Sequence, residues 1–223
     1  MQNYIEGIKI AYSGAGTTLL ISGVAVVLGV ALGLLVALCR TSHSKILRGI
    51  SAVYVDVLRG TPLVVQALIL YFGVPMFLQG MGVEFRWSTA VIASMIACGV
   101  NSSAYVGEII RAGLQAVDKG QAEAARSLGM SQGKTMRLVI IPQAIKIIIP
   151  AMGNEFITLI KETAILSVIS VTDITRASML WASSTFIYWP AYLGTAFVYL
   201  TLTIPLSKIM GYVERRMAKD VKS

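Results

Sequence analysis

A chain of 223 residues in which 56% are hydrophobic and only 13% charged excludes an ordinary water-soluble domain, where roughly a quarter of residues carry charge. Nineteen Lys and Arg against eleven Asp and Glu give a net charge of +8, yet these charges cluster between apolar runs, and no aromatic-rich basic surface of the kind that grips nucleic acid accompanies them. The charge therefore reads as membrane topology, with basic loops held near anionic lipid. Cys39 and Cys98 lie inside apolar runs without CxxC spacing, and with the single His43 they offer neither a disulfide framework nor a ligand set for a metal.

About 20 apolar residues cross a hydrocarbon core of about 30 Å. The charge-free runs 10–39, 60–83, 87–107 and 177–207 measure 30, 24, 21 and 31 residues, and a further run, 138–160, is long enough but carries Lys146 near one end and Glu155 beyond its middle. The expected architecture is an all-α integral membrane protein, one transmembrane domain over 1–223, with five helices near 15–39, 61–81, 87–107, 138–161 and 183–208. The first is too long for a cleaved signal peptide, whose apolar core has about 7 to 15 residues, and Glu6 with Lys9 makes a poor basic leader. Gly23, Gly29 and Gly33 leave grooves on it. The last two stand at GxxxG spacing, which permits close helix contact but is equally common as incidental membrane glycine.

Orientation follows from Lys and Arg. With five spans, fifteen of the nineteen fall on one side and only Lys9, Arg86, Lys161 and Arg176 on the other; the positive-inside rule then puts the N-terminus outside and the C-terminus in the cytoplasm. After the fourth span the apolar run 163–172 is too short to cross and is expected to pack as a short segment on the outer side. Trp181, Tyr188, Trp189 and Tyr192 mark the outer interface, and Tyr212, Arg215 and Arg216 the inner one.

The longest cytoplasmic connection, 108–137, is neither linker nor span. Within it, residues 119–129 read KGQAEAARSLG, mostly good helix formers closed by a glycine placed for the left-handed conformation. The alanines leave little bulk on one face, which suits either a groove in another protein or close packing on the chain's own bundle. The neighbouring GMSQGKT, 129–135, is one residue short of a Walker A loop and lacks the preceding strand, so nucleotide binding by this chain is not expected.

Glu123, Ala124 and Ala125, followed by Gly129 and then Val139, Ile141 and Pro142, resemble the EAA loop of ABC importer permeases, with Val139 and Ile141 where that pattern has Ile and Leu. The run RGTPLVVQ at 59–66 before Tyr71, Phe72 and Gly73, then Ala104, Tyr105 and Glu108, Gly120 and Gln121, and Lys161, Glu162 and Thr163, are similar to the polar amino acid permeases in particular, the histidine, glutamine and arginine permease family. The resemblance covers nearly the whole chain and implies the type I ABC importer permease fold. It implies that Gly120, Gln121, Glu123, Ala124, Ala125, Gly129 and Pro142 couple the chain to a dimer of separate ATP-binding subunits, which hold ATP and Mg. The chain itself is then no enzyme and binds no cofactor. A second permease subunit, identical or different, an extracytoplasmic solute-binding protein, an amino acid substrate and a bacterial inner (plasma) membrane complete what the resemblance implies.

A carboxylate inside a span costs at least about 2.5 to 3.5 kcal/mol unless it meets a partner or a wet cavity. Glu155 is therefore a candidate contact for the ammonium or basic side chain of a substrate, its alternative being an ion pair with Lys161 or a bond to a neighbouring helix. Asn101, Ser102 and Ser103 interrupt the third span with an amide and two hydroxyls, which suit a substrate carboxylate and amine or, equally, helix-to-helix hydrogen bonds. Gln66 and Tyr71 on the second span are further candidates, although both types are common near helix ends without a ligand. Pro142, Pro150 and Gly153 predict a bend or irregular start of the fourth helix beside Glu155. The expected function is passage of polar amino acids, basic ones included, driven by ATP. Two rivals stand beside it: an ion-coupled secondary carrier with Glu155 as coupling carboxylate, and a permease-like sensor or scaffold that binds an ATPase without transporting.

Overall fold

Five helical stretches are long and apolar enough to cross a membrane: Gln2–Thr41, Leu63–Gly80, Ala90–Gln115, Gln132–Ile169 and Tyr188–Met217. The structure, a computed structural model, describes residues 1–222, with side chains through residue 217, and every regular element among the described residues is helical. Its densest contact joins α2, Ala15–Thr41, to α6, Ala90–Gln115. Glycine makes that contact possible. A Cβ on Gly29 would stand 2.9 Å from Ser102 Oγ, one on Gly33 2.8 Å from Val106 Cβ and one on Gly107 2.7 Å from Val36 Cγ1, whereas nothing lies within 4 Å of Gly23. The GxxxG pair is thus a contact surface and Gly23 is not. Positions along the seam rise together, Gly29 with Ser102, Gly33 with Val106 and Arg40 with Glu108, so α2 and α6 run parallel. A parallel pair requires one crossing of the bundle between them.

That crossing is longer than its apolar run. It begins with α3, Lys45–Gly60, N-capped by Ser44, an amphipathic helix where the sequence suggested only a basic connection. α3 lies antiparallel to α6: Tyr54 Oη is 2.6 Å from Ser103 Oγ, and the Leu58 carbonyl faces Asn101. Thr61 and Pro62 then break the helix, because a residue before proline avoids the α conformation. The apolar run starts only there, level with the middle of α6, as α4, Leu63–Leu68, a π-turn, Ile69–Gly73, and α5, Val74–Gly80. Arg59, exposed and one residue before the end of α3, therefore lies level with Asn101 on α6 rather than at the start of the connection. An amphipathic helix carries charges along its length, so a count of charge-free residues does not show this level.

The connection 108–137 is likewise mostly helix. α6 continues to Gln115, α7 covers Lys119–Ser127, and α8, Gln132–Thr135, runs through a π-turn, Met136–Ile140, into α9, Ile141–Glu162. The irregular start expected near Pro142 is this π-turn, in which the Ile141 N–H bonds the Met136 carbonyl five residues back. The same device precedes Pro75, where the Val74 N–H bonds Ile69. Proline removes an N–H and crowds the carbonyl four residues back, and a widened turn relieves the crowding. Pro150 lies within α9, which continues past it.

Within residues 163–172 a short 3-10 helix, Thr163–Ile169, places Leu166 and Ile169 in one core with Ile21, Leu63, Ala97 and Leu159, while Val168 is exposed. α10, Ile174–Thr185, is capped by buried Asp173, which accepts the Arg176 N–H at 2.8 Å and the Tyr199 hydroxyl at 3.3 Å. Burial pushes the Asp173 carboxyl above its ordinary value against the pull of these bonds. The last long helix, α11, Tyr188–Lys222, starts five residues later than the run 183–208 suggested, because Phe186 takes the left-handed conformation at φ 60° and turns the chain. An uncharged turn is invisible in a charge-free run. α1, Gln2–Ser13, packs on α11.

Replacing Gly33 by Leu should force α2 and α6 apart and cost about 1–3 kcal/mol, the usual range for overpacking. A lowered denaturation temperature of the purified protein reads this out, with Gly23→Leu unchanged.

Candidate functional site

The residues around the end of α3 form a polar layer. Pro62 cannot give the Leu58 carbonyl its helical hydrogen bond, and two side-chain amides replace it: Gln66 Nε2 donates at 2.8 Å and Asn101 Nδ2 at 3.4 Å. Gln66 also donates to Thr61 Oγ1 at 2.8 Å and accepts from Asn101 at 3.0 Å. Ser103 donates to the Val100 carbonyl at 2.6 Å and meets the Tyr54 hydroxyl. Asn101, Ser102 and Ser103 are all buried. An apolar cavity of about 290 Å³, lined among others by Val57, Leu58, Gln66, Ile69 and Val100, opens beside Gln66.

Glu155 faces the same layer from α9, accepting from Ser102 Oγ at 3.3 Å. It is half-buried, whereas Lys161 is exposed, and no ion pair joins the two among the described residues. The Arg59 guanidinium attracts the Glu155 charge and the Glu162 carboxylate repels it. Arg59 stacks over the Tyr105 ring, 5.1 Å from its centroid. The structure therefore brings together Gln66, Asn101, Ser102, Ser103 and Glu155. Tyr71 stays apart: it sits in the π-turn, edge-on to Phe72 at 4.7 Å and packed on the core.

Sequence reasoning missed Arg59, Tyr54 and Thr61 in this layer. The missing signal was helical periodicity in 45–60, where Ser51 and Val55 are buried one turn apart.

The second candidate surface is α7. Asp118 Oδ1 accepts the Gly120 N–H at 2.7 Å to start it, and its end is closed by Leu128 N–H to Ala124 and Met130 N–H to Ala125, with Gly129 at φ 83°. This is the expected left-handed termination. Ala125 is buried and Ala122 packs against Val117, Ile140, Ala144 and Ile148, while Gln121 accepts from Gln143 at 3.2 Å. Glu123 and Ala124 remain exposed, and Leu128, absent from the motif residues, is 84% exposed beside them. Close packing on the chain's own bundle is thus the use made of Ala122 and Ala125, and Ala124 is on the outward face. Pro142 is not on α7; it stands in the first turn of α9. Only residues 116–118 separate α7 from α6, where Glu108 pairs with Arg40 at 3.0 Å and Arg111 at 2.7 Å.

Residues 29–219 match the sequence profile of the family described as binding-protein-dependent transport system inner membrane component. The chain belongs to this family. Among its relatives, the arginine transport system permease protein ArtQ of Bacillus subtilis (strain 168) is 40% identical over 216 residues, spanning 97% of this chain and 96% of that protein. A putative glutamine transport system permease protein GlnP of Rickettsia bellii (strain RML369-C) is 38% identical over 211 residues, 94% of each. A crystal structure of an amino acid ABC transporter with histidines superposes with a TM-score of 0.86 at 46% identity, covering 95% of this chain and 96% of that one. An inward-facing structure of the MetNI methionine ABC transporter shares the fold, with a TM-score of 0.68 at 16% identity over 97% of each chain. The resemblance carried by the EAA loop and the five-helix permease fold are both borne out.

In this inner membrane component, Gly129 has open space around it but a left-handed backbone. Gly129→Val should therefore fray the end of α7 at a cost of about 1–2 kcal/mol, the penalty of that conformation for an L-residue. Faster hydrogen exchange of amides 125–130 measures the effect. Gly133→Val, equally unobstructed but without the positive φ, should leave exchange unchanged.

Proposed function

We propose that the chain is the membrane-spanning permease subunit of an ATP-driven importer of polar amino acids, with its N-terminus outside and its C-terminus in the cytoplasm. The observation that carries this reading is a pair of opposite charges, Glu155 and Arg59, at the depth of the Asn101 layer and without an ion pair between them. Ionisable groups within a membrane are costly and mark transport pathways. An amino acid brings an ammonium for the carboxylate and a carboxylate for the guanidinium, and the adjoining cavity accommodates part of its side chain. The relatives named for arginine and glutamine support the same substrate class.

The chain works beside a second permease. A solute-binding protein delivers the amino acid outside, and two ATP-binding subunits, which hold ATP and Mg, grip α7 in the cytoplasm through Glu123, Ala124 and Leu128, with Gly120, Gln121, Ala125 and Gly129 fixing the helix. Closure of those subunits on ATP moves α7, and with it α6. The layer of Gln66, Asn101, Ser102 and Glu155 switches between outward and inward access with that motion, and ATP hydrolysis resets the cycle. The membrane is the bacterial inner membrane, and basic residues such as Arg40, Lys45, Lys119 and Lys134 lie at its cytoplasmic face.

Reconstitution with the ATP-binding subunit and binding protein tests the reading. Uptake into vesicles should require ATP, and Glu155→Gln should lower it about tenfold while assembly and basal ATP hydrolysis persist, since a charge-assisted hydrogen bond is about twice as strong as a neutral one. Lys161→Gln should transport normally. Uptake driven by an ion gradient without ATP would establish a secondary carrier, and ATPase binding without uptake a sensor.

Topology is checked separately. Single cysteines at Lys9, Arg86 and Arg176, in a background lacking Cys39 and Cys98, should react with an impermeant thiol reagent from outside intact cells. A cysteine at Lys134 should react only after lysis, and labelling there in intact cells would reverse the orientation.

A further inference from the structure

In an α-helix the Val74 N–H would bond the Leu70 carbonyl. Here it bonds Ile69, and the next donor within reach of Leu70 in the π register would be residue 75, a proline without an N–H. The carbonyl is left without a helical donor inside an apolar crossing segment, where an unmet backbone group is costly. The indole of Trp87 supplies the hydrogen bond, Nε1 donating at 2.8 Å. Trp87 belongs to the connection between α5 and α6 and is held edge-to-face by Phe85 at 4.9 Å. A cavity of about 470 Å³, lined by Phe72, Met76, Glu84 and Arg86 among others, separates the rest of that connection from the helix. The indole bond reaches across beside this cavity.

The turn has two registers that differ in what the Leu70 carbonyl receives. If Val74 bonds Leu70 the turn is α and the carbonyl has its helical donor; if Val74 bonds Ile69, as here, the turn is π and the carbonyl depends on the Trp87 indole. Changing register adds or removes one residue per turn, which rotates the helix before it by about 100° relative to the helix after it. Tyr71, half-buried, and Phe72, exposed, then each move one position the same way around the helix, which removes the difference in exposure between them because Leu70 is half-buried and Gly73 exposed, and α4, which carries Gln66, turns with them.

We propose that Trp87 is a positioning residue for translocation: its indole holds the π register of the second crossing, and the register shifts when the binding protein engages the connection 81–89. This rests on the importer reading above.

Trp87→Phe keeps the ring beside Phe85 and removes only the donor. In the assembled complex it should lower ATP-driven uptake about three- to tenfold, the worth of one neutral hydrogen bond, with basal ATP hydrolysis unchanged. Reporter cysteines at Phe72 and Tyr71, without Cys39 and Cys98, read the register. Phe72→Cys should alkylate faster than Tyr71→Cys when Trp87 is present, and the ratio should fall at least about threefold in Trp87→Phe. An unchanged ratio overturns the proposal whether or not uptake falls.

If Trp87→Phe fails to assemble, the wild-type complex with ¹⁵N-tryptophan decides. The Trp87 indole N–H should exchange slowly and lose protection when loaded binding protein and ATP are added. Exchange as fast as at exposed Trp189, or protection indifferent to these additions, overturns the proposal. Alkylation and exchange need no transport, so absence of uptake by the wild-type complex refutes the importer reading without deciding the register.

Discussion

Every backbone carbonyl within a bilayer must find a donor inside the protein, and three prolines make that requirement shape this fold. Pro62 takes away the donor of Leu58, Pro75 that of Leu70 once the π-turn has formed, and Pro142 stands in the first turn after another π-turn. The answers are side chains: the amides of Gln66 and Asn101 at the first and the indole of Trp87 at the second. Part of the polarity inside the membrane is thus repair. Gln66 and Asn101 hold the corner between α3 and α4, and the surface they present to the cavity follows from that duty.

The glycine seam between α2 and α6 determines what can move. With Ser102 and Val106 seated against Gly29 and Gly33, the two helices have no slack, and closely packed interiors transmit displacement rather than absorb it. Arg40 binds Glu108 at the foot of the same pair, and Arg111 binds it from one turn further along α6. α6 is unbroken from Ala90 to Gln115. A push on α7, three residues beyond, therefore reaches Asn101 and Ser102 through a rigid pair of helices.

Hydropathy located five crossing helices because long apolar runs have no soluble alternative, and the 119–129 segment was legible because its capping Asp118 and terminal Gly129 are local signals. Elements that depend on tertiary context were not. α3 mixes charges with apolar residues and becomes part of a crossing only by packing on α6, and α10 ends at an uncharged Phe186 that turns left-handed. Arg59 counts only as one of fifteen basic residues on one side in the sequence, because its level depends on where α3 goes. For Asn101, Ser102 and Ser103 the sequence showed the polarity but not the partners. The structure gives each of them a bond within the chain, and in the function proposed above it is Glu155 and Arg59 that offer charge to a ligand.

Keeping those two charges apart has a physical logic. Opposite charges about 4 Å apart attract by about 4 kcal/mol at an effective dielectric constant of 20, so a closed pair would oppose any zwitterion seeking to replace it. Arg59 instead rests on the Tyr105 ring and Glu155 on Ser102, interactions weaker than an ion pair and readily exchanged. These supports come from both ends of the mechanism, Arg59 from the helix that Pro62 terminates and Glu155 from the helix that Pro142 begins, while Ser102 belongs to α6, the helix joined to α7. A shift of α6 alters the contact to Glu155 directly and reaches Arg59 through Tyr105. A ligand held by both charges would then feel the movement of one helix as a change in affinity, which is what alternating access requires of a site that must first bind and then let go.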